Sequence, residues 1–484
     1  MEESYQGDPQ QPYNVSSDEG DDIAFDDVGV ASLPGSVANV VKNVIGSGIL
    51  SLPFAFRLAG LWPGLLLFLL CWVLSIATYL ILAKCAQEAA ERSAAKGVAF
   101  SYSYKDVMAA AKGPRWAIAV DYTISILSII SCTSYIVLIG DYGAAMNLVC
   151  SPDTLCTNRA VQQLVVAVGI LLPLCLLRDL SPLKYMSVVG LLAVVYTAVF
   201  VVVTDDTGDS VPEDRKLDWW NFDVQLFESV SLLNATFSSH YNAPRFYAEL
   251  KNRSIKRFRA LTVSAYGLVA VLSGVVGVGA YATFGRATKG NILLSYSEDN
   301  VGAVVARLAT LVSIMGTFAL VFNAGRVATS NLLVRLLNRI DRRDDSAINS
   351  SVSSDDTRLL VEDGNSVGAP PRDDLTKSQR YALTMFMLIC VTTAGTRGSS
   401  WHVRLYLIVV ETGVLADDVS TVNAIKGALT NSPVTYIFPG MIWLSLGDSQ
   451  HRWMHRFAYF LIVFGVFTSI VSLSVTLVKL GKTN

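Results

Sequence analysis

The sequence predicts an all-α polytopic membrane protein, and three observations support this fold class. Of its 484 residues, 52% are hydrophobic and only 16% are charged, with a mean hydropathy of +0.44. That composition leaves too little polar surface to cover a soluble globule. The apolar residues collect in stretches of about 20, the length of a helix that crosses a membrane. The first stretch contains glycines at positions 46 and 48, which predict a break in that helix.

Apolar stretches separated by polar loops predict about 11 transmembrane helices, which we number as spans in chain order. The spans cover residues 36–60, 63–84, 116–149, 160–178, 182–204, 226–249, 259–284, 301–332, 379–398, 416–445 and 456–478. Lysine and arginine collect in the loops after spans 2, 6 and 8. Such loops are typically cytosolic, so we expect a cytosolic N-terminus and, with an odd number of spans, a C-terminus on the outer side.

Three polar segments interrupt the apolar pattern. Residues 1–32 are acidic and are predicted to form a disordered cytosolic tail. Residues 341–378 are rich in serine and aspartate and predict a disordered cytosolic loop, in which residues 355–360, DDTRLL, resemble an acidic dileucine sorting signal. Residues 394–415 are too apolar for a tight loop and too charged for two more spans, so we expect an irregular insertion there.

Composition also argues against several classes of function. The net charge is −2 and the basic residues are scattered, so no nucleic-acid partner is expected. The four histidines have no ligand or catalytic-triad spacing and the cysteines form no CxxC pair. We therefore predict that the chain is not an enzyme and that it carries no cofactor apart from a coupling ion. The expected surroundings are the lipid bilayer, and we expect a monomer.

Span 1 carries the sequence NVIGSGILSLPFAF at residues 43–56, which predicts a broken helix. Gly46 and Gly48 bracket Ser47, and Pro53 follows, so backbone amides and carbonyls are expected to lack helical partners at mid-bilayer depth. Lipid cannot satisfy such groups, whereas a wet cavity or a bound ligand can. The alternative is that the two glycines serve as small residues in helix packing.

Span 6 carries a second predicted break, ATFSSHYNAPRFYAEL, at residues 235–250. Pro244 removes a backbone donor there, and the surrounding serines, His240 and Asn242 supply polar groups. Interrupted spans in both halves of a chain point to the binding site of an inverted-repeat transporter, so a membrane transporter is predicted. The alternative for span 6 is a proline-kinked packing helix.

These motifs resemble the amino acid/auxin permease family, which includes the sodium-coupled neutral amino acid transporters. The resemblance covers most of residues 33–478 and also rests on SYIVLIGDY, RDLSPLKYMSVVGLLAV, GTFALVFNAGR and GALTNSPVTYIFPGMIWLSL. It implies a leucine-transporter-like fold with broken helices 1 and 6, built as two inverted five-helix repeats, 33–204 and 226–445, plus an eleventh helix, 456–478. It also implies secondary active transport of amino acids by alternating access.

An amino acid zwitterion in a low-dielectric site needs a partner for each of its two charges. The freed amides at the start of the second half-helix suit its carboxylate, and the freed carbonyls of both breaks suit its ammonium. The predicted substrate-binding residues are Ile45, Gly46, Ser47, Gly48, Ile49, Phe237, Ser238, Ser239, His240 and Asn242. Residues 43–48 and 237–242 contain no aspartate or glutamate, so a neutral amino acid is expected.

The resemblance to sodium-coupled members points to a sodium site formed by Asn43, Gly46, Ser313 and Thr317. Span 8 departs from the family's usual proline-containing run, since Asn323, Ala324 and Gly325 precede its Arg326. Coupling to protons is the alternative, and His240 is either a pH-sensing group or a structural one.

The remaining predictions concern two charged residues, the role of the whole chain and its membrane. Lys42 is predicted to snorkel toward the cytosolic interface, and Asp141 is predicted to be structural or gating. The alternative function is an amino acid sensor that binds substrate and signals without concentrating it. The plasma membrane is the expected location, with a vacuolar or lysosomal membrane as the alternative.

Overall fold

A computed structural model describes residues 29–145, 158–176, 183–204, 216–297, 299–351, 376–395, 418–448 and 450–483. Within these ranges the chain forms helices and no named strand, and an isolated bridge pairs Ala31 with Leu250. The first half of the described chain contains α1 (Leu33–Val44), α2 (Gly48–Ala59), α3 (Leu61–Ala94), α4 (Tyr104–Lys112), α5 (Pro114–Ala145), α6 (Arg159–Val166), α7 (Leu172–Leu176) and α8 (Leu183–Val203). A π-helical turn, Ala167–Leu171, joins α6 to α7.

The second half contains α9 (Leu226–Thr236), α10 (Ala243–Glu249), α11 (Ile255–Phe284), α12 (Val301–Ser351), α13 (Lys377–Gly395), α14 (Val419–Lys426), α15 (Phe438–Leu446) and α16 (Arg452–Thr483). Two π-helical turns, Gly427–Asn431 and Pro433–Ile437, join α14 to α15. Such turns often lie at functional sites inside transmembrane helices.

Each predicted span coincides with helical residues of the described chain, and the all-α polytopic fold class is confirmed. Within the described residues, six helices are long and apolar enough to cross a membrane on their own: Leu61–Ala94, Pro114–Gly143, Arg159–Leu176, Ile255–Ala287, Val301–Arg339 and Arg452–Leu480. The pair Leu33–Val44 and Gly48–Ala59 qualifies together as one bent span. The remaining predicted spans are shorter or interrupted helices. The division into two five-helix repeats stays a prediction.

The polar segments differ in part from their predictions. The backbone of Ala31 pairs with α10, since its amide donates to Glu249 O and its carbonyl accepts from Lys251 N, each at 3.0 Å. The end of the predicted tail is therefore ordered. Residues 341–351, assigned from sequence to a disordered loop, continue α12. Residues 1–28, 352–375 with the dileucine sequence, and 396–417 with most of the insertion lie outside the described residues.

Small residues bring the two broken spans together. Helix α2 packs against α9 and α11, and the turn that follows α14 packs against α9. A Cβ built on Gly427 would lie 2.0 Å from the carbonyl oxygen of Ser231, and one on Gly277 would lie 2.8 Å from the Phe56 ring. Glycine at these contacts lets helix backbones approach closely, as is common inside membranes. Ser47 of the first break and Phe237 and Ser239 of the second are buried.

Candidate functional site

The break in the first span covers residues 45–47, between α1 and α2. The two helices are bent by 58° relative to each other. Ile45 has extended backbone, and the Ser47 side chain makes no capping hydrogen bond to α2. The first amides of a helix have no partner inside that helix. The positive end of the α2 dipole therefore lies at the break without a side-chain cap, an arrangement that suits a carboxylate.

Gly48, the first residue of α2, packs against the second broken span. A Cβ built on Gly48 would lie 3.2 Å from the backbone of Ala235 and Thr236. The small-residue contact that the sequence offered as an alternative is therefore present at Gly48. The break itself remains, because α1 ends at Val44 before this contact begins.

The break in the sixth span covers residues 237–239, ahead of a short 3₁₀ turn and α10. The Tyr266 hydroxyl donates to the carbonyl oxygen of Phe237 at 3.3 Å, and it lies 3.2 Å from the Ser239 hydroxyl. The Ser238 hydroxyl is buried and has no hydrogen-bond partner among the residues that the structure describes. Protein groups thus satisfy one freed carbonyl of this break and leave one hydroxyl unsatisfied.

A small cavity of about 30 Å³ lies between the first break and helices α5, α8 and α12. It is lined by Ile45, Gly46, Ser47, Ile49, Leu50, Tyr135, Ala193, Val194, Thr197, Thr310, Ser313, Ile314 and Thr317. A water molecule needs at least about 10–15 Å³ of such space. The cavity therefore has room for one or two waters or a small cation, but not for an amino acid.

A larger vestibule of about 670 Å³ opens toward the predicted cytosolic side. Its polar lining includes Asn39, Lys42, Asn43, Lys105, Asp106, Asp121, Tyr241, Asn242, Arg245, Glu249, Asn323 and Asn331. Tyr135 and Thr317 line both the vestibule and the small cavity, so they separate the two spaces.

The predicted substrate-binding residues do not all face these spaces. Ile45, Gly46, Ser47 and Ile49 line the small cavity, and Asn242 lines the vestibule. Gly48, Phe237, Ser238, Ser239 and His240 line neither space. Most of the substrate-binding residues predicted at the first break thus line a cavity, whereas most of those predicted at the second break do not.

The imidazole of His240 is fully buried, and its two ring nitrogens have protein partners. Nε2 lies 2.9 Å from the Thr78 hydroxyl and 3.1 Å from the carbonyl oxygen of Ser75. Nδ1 lies 3.4 Å from the Thr435 hydroxyl. These contacts link the sixth span to the second and the tenth, which supports the structural role that the sequence left open for this histidine.

The four residues predicted for a sodium site are partly brought together. Gly46, Ser313 and Thr317 line the small cavity, whereas Asn43 lines the vestibule. The side-chain oxygen of Asn43 accepts a hydrogen bond from Asn242 at 3.1 Å. The Thr317 hydroxyl donates to the carbonyl oxygen of Ser313 at 2.9 Å, an ordinary bond within one helix.

The prediction that Lys42 snorkels toward the interface is wrong. Its residue surface is only 7% exposed, and its ammonium group donates to the Ser313 hydroxyl at 2.9 Å. Gly190 of α8 makes room for this group, since a Cβ on Gly190 would lie 2.3 Å from Lys42 Nζ. The ammonium therefore points into the bundle, at the edge of the small cavity.

A buried hydrogen-bond network beside the first break was missed from the sequence. The hydroxyls of Ser47 and Ser134 both donate to the side-chain oxygen of Asn423 at 3.1 Å. The Asn423 amide donates to the Ser51 hydroxyl at 3.1 Å. Asn423 thus fixes α2 against α5 and α14. Its signal in the sequence was weak, because the start of the tenth span follows the irregular segment.

The predicted outer side of the bundle is held by an ion pair between spans 3 and 4. Arg159 Nη2 lies 2.7 Å from Asp141 Oδ1, and the Asp141 side chain is 5% exposed. The Asn291 amide lies 3.4 Å from the other carboxylate oxygen and extends the contact to the segment between α11 and α12. The predicted structural or gating role of Asp141 fits this placement.

A second ion pair on the predicted outer side lies at the surface. Arg286 contacts Asp218 at 2.5 Å and ties the end of α11 to the segment before α9. The hydrogen bond from Arg286 holds the pKa of the Asp218 carboxyl below its ordinary value.

Comparisons with known proteins identify amino acid transporters and one solved symporter structure to which this chain is similar. The chain is 23% identical over 432 residues to vacuolar amino acid transporter 6 of Saccharomyces cerevisiae, covering 87% of this chain and 92% of that protein. It is 25% identical over 323 residues to sodium-coupled neutral amino acid transporter 7 of Xenopus laevis, covering 64% and 68%. A solved structure of a Na⁺-coupled sialic acid symporter in a substrate-bound outward-open state has a TM-score of 0.48 at 13% identity, covering 93% and 90%.

The family comparison covers nearly the whole described chain. Residues 29–478 match the family described as transmembrane amino acid transporter protein. That range includes both breaks, the small cavity and the vestibule. The predicted resemblance is confirmed, and the family is one of transporters and not of enzymes. The chain is an integral multi-pass membrane protein and belongs to the transmembrane amino acid transporter protein family.

Proposed function

We propose that this chain is a secondary active transporter that carries neutral amino acids across a membrane by alternating access, coupled to a sodium or proton gradient. The family supports transport of amino acids. A relative's name specifies neutral amino acids, and the absence of carboxylates from residues 43–48 and 237–242 agrees with a neutral substrate.

The uncapped N-terminus of α2 is the observation that carries this proposal. Its first amides, which have no partner inside the helix, lie next to a cavity that Gly46 and Ser47 line. A carboxylate binds well at such a helix end, because backbone N–H groups and the helix dipole both favour negative charge. A break of this kind in a transmembrane helix is where transporters hold anionic substrate groups.

The two cavities support alternating access. The vestibule opens to one predicted side, whereas the Asp141–Arg159 pair holds the opposite side together. We infer that the structure corresponds to an inward-facing state in which Tyr135 and Thr317 separate the vestibule from the α2 amides. Substrate binding then requires these two side chains to move apart so that the spaces merge.

Transport by purified protein in proteoliposomes tests the proposal. We expect labelled alanine and glutamine to accumulate against their gradients when sodium or protons are supplied on one side, with little competition from arginine. Binding of these amino acids without accumulation would instead identify a sensor. Preferred uptake of arginine would contradict the neutral specificity.

A variant pair tests the location of the site. Gly46→Val adds side-chain atoms next to the Tyr135 hydroxyl, which already lies 3.1 Å from the position of a Cβ on Gly46. Overpacking costs about 1–3 kcal/mol, and we expect this cost to fall on the substrate-bound state, so uptake should fall about fivefold or more. Gly267→Val in α11 is the control, because no atom lies within 4 Å of its Cβ position. Equal uptake by the two variants would argue against a site at Gly46.

A further inference from the structure

The described lining of the vestibule contains three carboxylates, and two of them have close protein partners. Asp106 accepts a hydrogen bond from the Ser103 hydroxyl at 2.6 Å. Glu249 forms an ion pair with Arg245 at 2.7 Å. The third carboxylate, that of Asp121 in α5, lacks a comparable partner.

Asp121 is the most buried of the three carboxylates, with 2% of its surface exposed. One of its oxygens accepts a long hydrogen bond from the Asn331 amide at 3.4 Å. The other oxygen is buried and has no hydrogen-bond partner among the residues that the structure describes. A buried carboxylate without a cation beside it is unfavourable, so such a group in a transmembrane helix indicates a function.

Two positive side chains lie near Asp121 without binding it. Lys105 of α4 lines the same vestibule, and Arg335 lies one turn beyond Asn331 on α12. Both are close enough to interact with Asp121 electrostatically. Neither forms an ion pair with it within the described ranges. The vestibule therefore presents a carboxylate and an ammonium group that are close but not in contact.

Apolar side chains line the vestibule beside these charges. Ile124 lies one turn after Asp121 on α5, and Ala328 lies one turn before Asn331 on α12. Residues one turn apart share a helix face, and α5 packs along α12. A small apolar surface is thus available next to the charged groups.

We propose that Asp121 and Lys105 form a second amino acid site in the vestibule, which holds the substrate as it passes between the first break and the cytosol. Asp121 binds the ammonium group of the amino acid, and Lys105 binds its carboxylate. Ile124 and Ala328 contact the neutral side chain, and Asn331 orients the Asp121 carboxylate. This inference rests on the proposed function, because the ligand is the transported amino acid. Each charge of the zwitterion gains a charge-assisted hydrogen bond there.

The second site is separate from the amides of α2. Asp121 lies about four helical turns before Tyr135 on α5, which corresponds to about 20 Å along the helix. Tyr135 in turn separates the vestibule from the small cavity. An amino acid at Asp121 therefore does not reach the first break, and the two sites bind separate molecules.

The volumes of the two spaces agree with this assignment. The vestibule measures about 670 Å³ and has room for a whole amino acid in the state that the structure shows. The small cavity, at about 30 Å³, does not. In this state the substrate thus has space at Asp121 before Tyr135 and Thr317 move apart.

The test is equilibrium binding of labelled alanine to the purified full-length protein. Wild type is expected to bind two alanine molecules per chain, one more weakly than the other. Asp121→Asn keeps the size of the side chain and removes its charge, so it is expected to lose the weaker site and keep the affinity of the stronger one. In proteoliposomes, the same variant should raise the cytosolic alanine concentration for half-maximal exchange about tenfold or more, with the outer value unchanged.

A matched control and a second variant separate the site from the fold. Glu249→Gln removes another carboxylate of the vestibule lining, which is paired with an exposed arginine, and it should keep both sites. Lys105→Met removes the proposed partner of the substrate carboxylate and should weaken the second site as Asp121→Asn does. Retention of two sites by folded Asp121→Asn and Lys105→Met would overturn the inference.

Two ligands identify the chemistry that Asp121 recognises. N-acetylalanine lacks the ammonium group and is expected not to displace the second alanine. Replacement of choline by sodium at equal ionic strength is also expected not to displace it. Displacement by sodium would assign Asp121 to a metal cation and overturn the second amino acid site.

The outcomes distinguish this inference from the proposed function. A single alanine bound per wild-type chain, with normal uptake, would overturn the second site and leave the transporter intact. Failure of wild type to bind or exchange any labelled amino acid would overturn the proposed function itself. If Asp121→Asn does not fold, the stoichiometry of wild type and the comparison with Lys105→Met still decide.

Discussion

The two ends of the bundle treat buried charge in different ways. At the predicted outer end, Asp141 and Arg159 form a direct ion pair, and the Asp141 side chain is 5% exposed. At the predicted cytosolic end, the Lys42 ammonium donates to the Ser313 hydroxyl at 2.9 Å, beside a vestibule of about 670 Å³. At the outer end, two opposite charges neutralise each other and join two spans. At the cytosolic end, polar groups face a space that is large enough for many water molecules.

This difference has a mechanical consequence for a transporter. An ion pair joins two spans and must break before they separate, whereas hydrogen bonds that face water are exchanged for bonds to water at little net cost. Opening of the predicted outer end therefore requires the ion pair between Asp141 and Arg159 to separate. The following substitutions test this contrast in order of expected effect.

Asp141→Ala is expected to have the largest effect, because it leaves the Arg159 guanidinium without its carboxylate partner. Removing one member of a buried pair costs about 3–5 kcal/mol, and the lower end applies here because a quarter of the Arg159 side chain is exposed. We expect a lower melting temperature of the detergent-solubilised protein and greater labelling of a cysteine placed between spans 3 and 4.

The control for the ion pair is Arg286→Gln. It removes a surface pair on the same predicted side, in which the Arg286 side chain is 56% exposed, and exposed pairs contribute about 0–1 kcal/mol. If Asp141→Ala changes the melting temperature no more than Arg286→Gln does, the ion pair between Asp141 and Arg159 does not stabilise the predicted outer end.

Asn423→Ala is expected to have an intermediate effect, at the middle of the bundle. It removes the acceptor that Ser47 and Ser134 share; Ser134 can still donate to the Ser47 hydroxyl at 3.1 Å, which leaves the buried Ser47 hydroxyl without its acceptor. An unsatisfied buried polar group costs about 1–3 kcal/mol, so we expect lower thermal stability and a higher KM for alanine. Ser51→Ala removes one bond of the same network and should change both quantities less. The reverse order would show that Asn423 is not the centre of the network.

The breaks were predictable because their cause is local. Gly46 and Gly48 interrupt helix propensity in an apolar segment, and the structure ends α1 at Val44 and restarts the helix at Gly48. Pro53, which was expected to contribute to the break, lies inside α2 instead. Pro53 is the sixth residue of α2, where it removes one hydrogen bond of the helix, and the helix nevertheless continues to Ala59.

The surroundings of the breaks were not predictable because they are assembled from distant segments. The position of Lys42 depends on Gly190 and Ser313, which belong to the fifth and eighth spans. No periodicity along α1 distinguishes a lysine that snorkels from one that bonds to a neighbouring span. The role of Asn423 likewise depends on its contact with Ser47, which follows from helix packing and not from either local sequence.

Asn242→Ala is expected to have the smallest effect and to sharpen the contrast with Asn423. Asn242 donates to Asn43 at 3.1 Å, but both residues line the vestibule, where water replaces the lost partner. We expect a loss of about 0.5–1.5 kcal/mol at most, measured as a small change in melting temperature. A loss as large as that of Asn423→Ala would mean that water does not reach this end of the vestibule. The vestibule side of the first break, at Asn242, would then be no more hydrated than the buried side at Asn423.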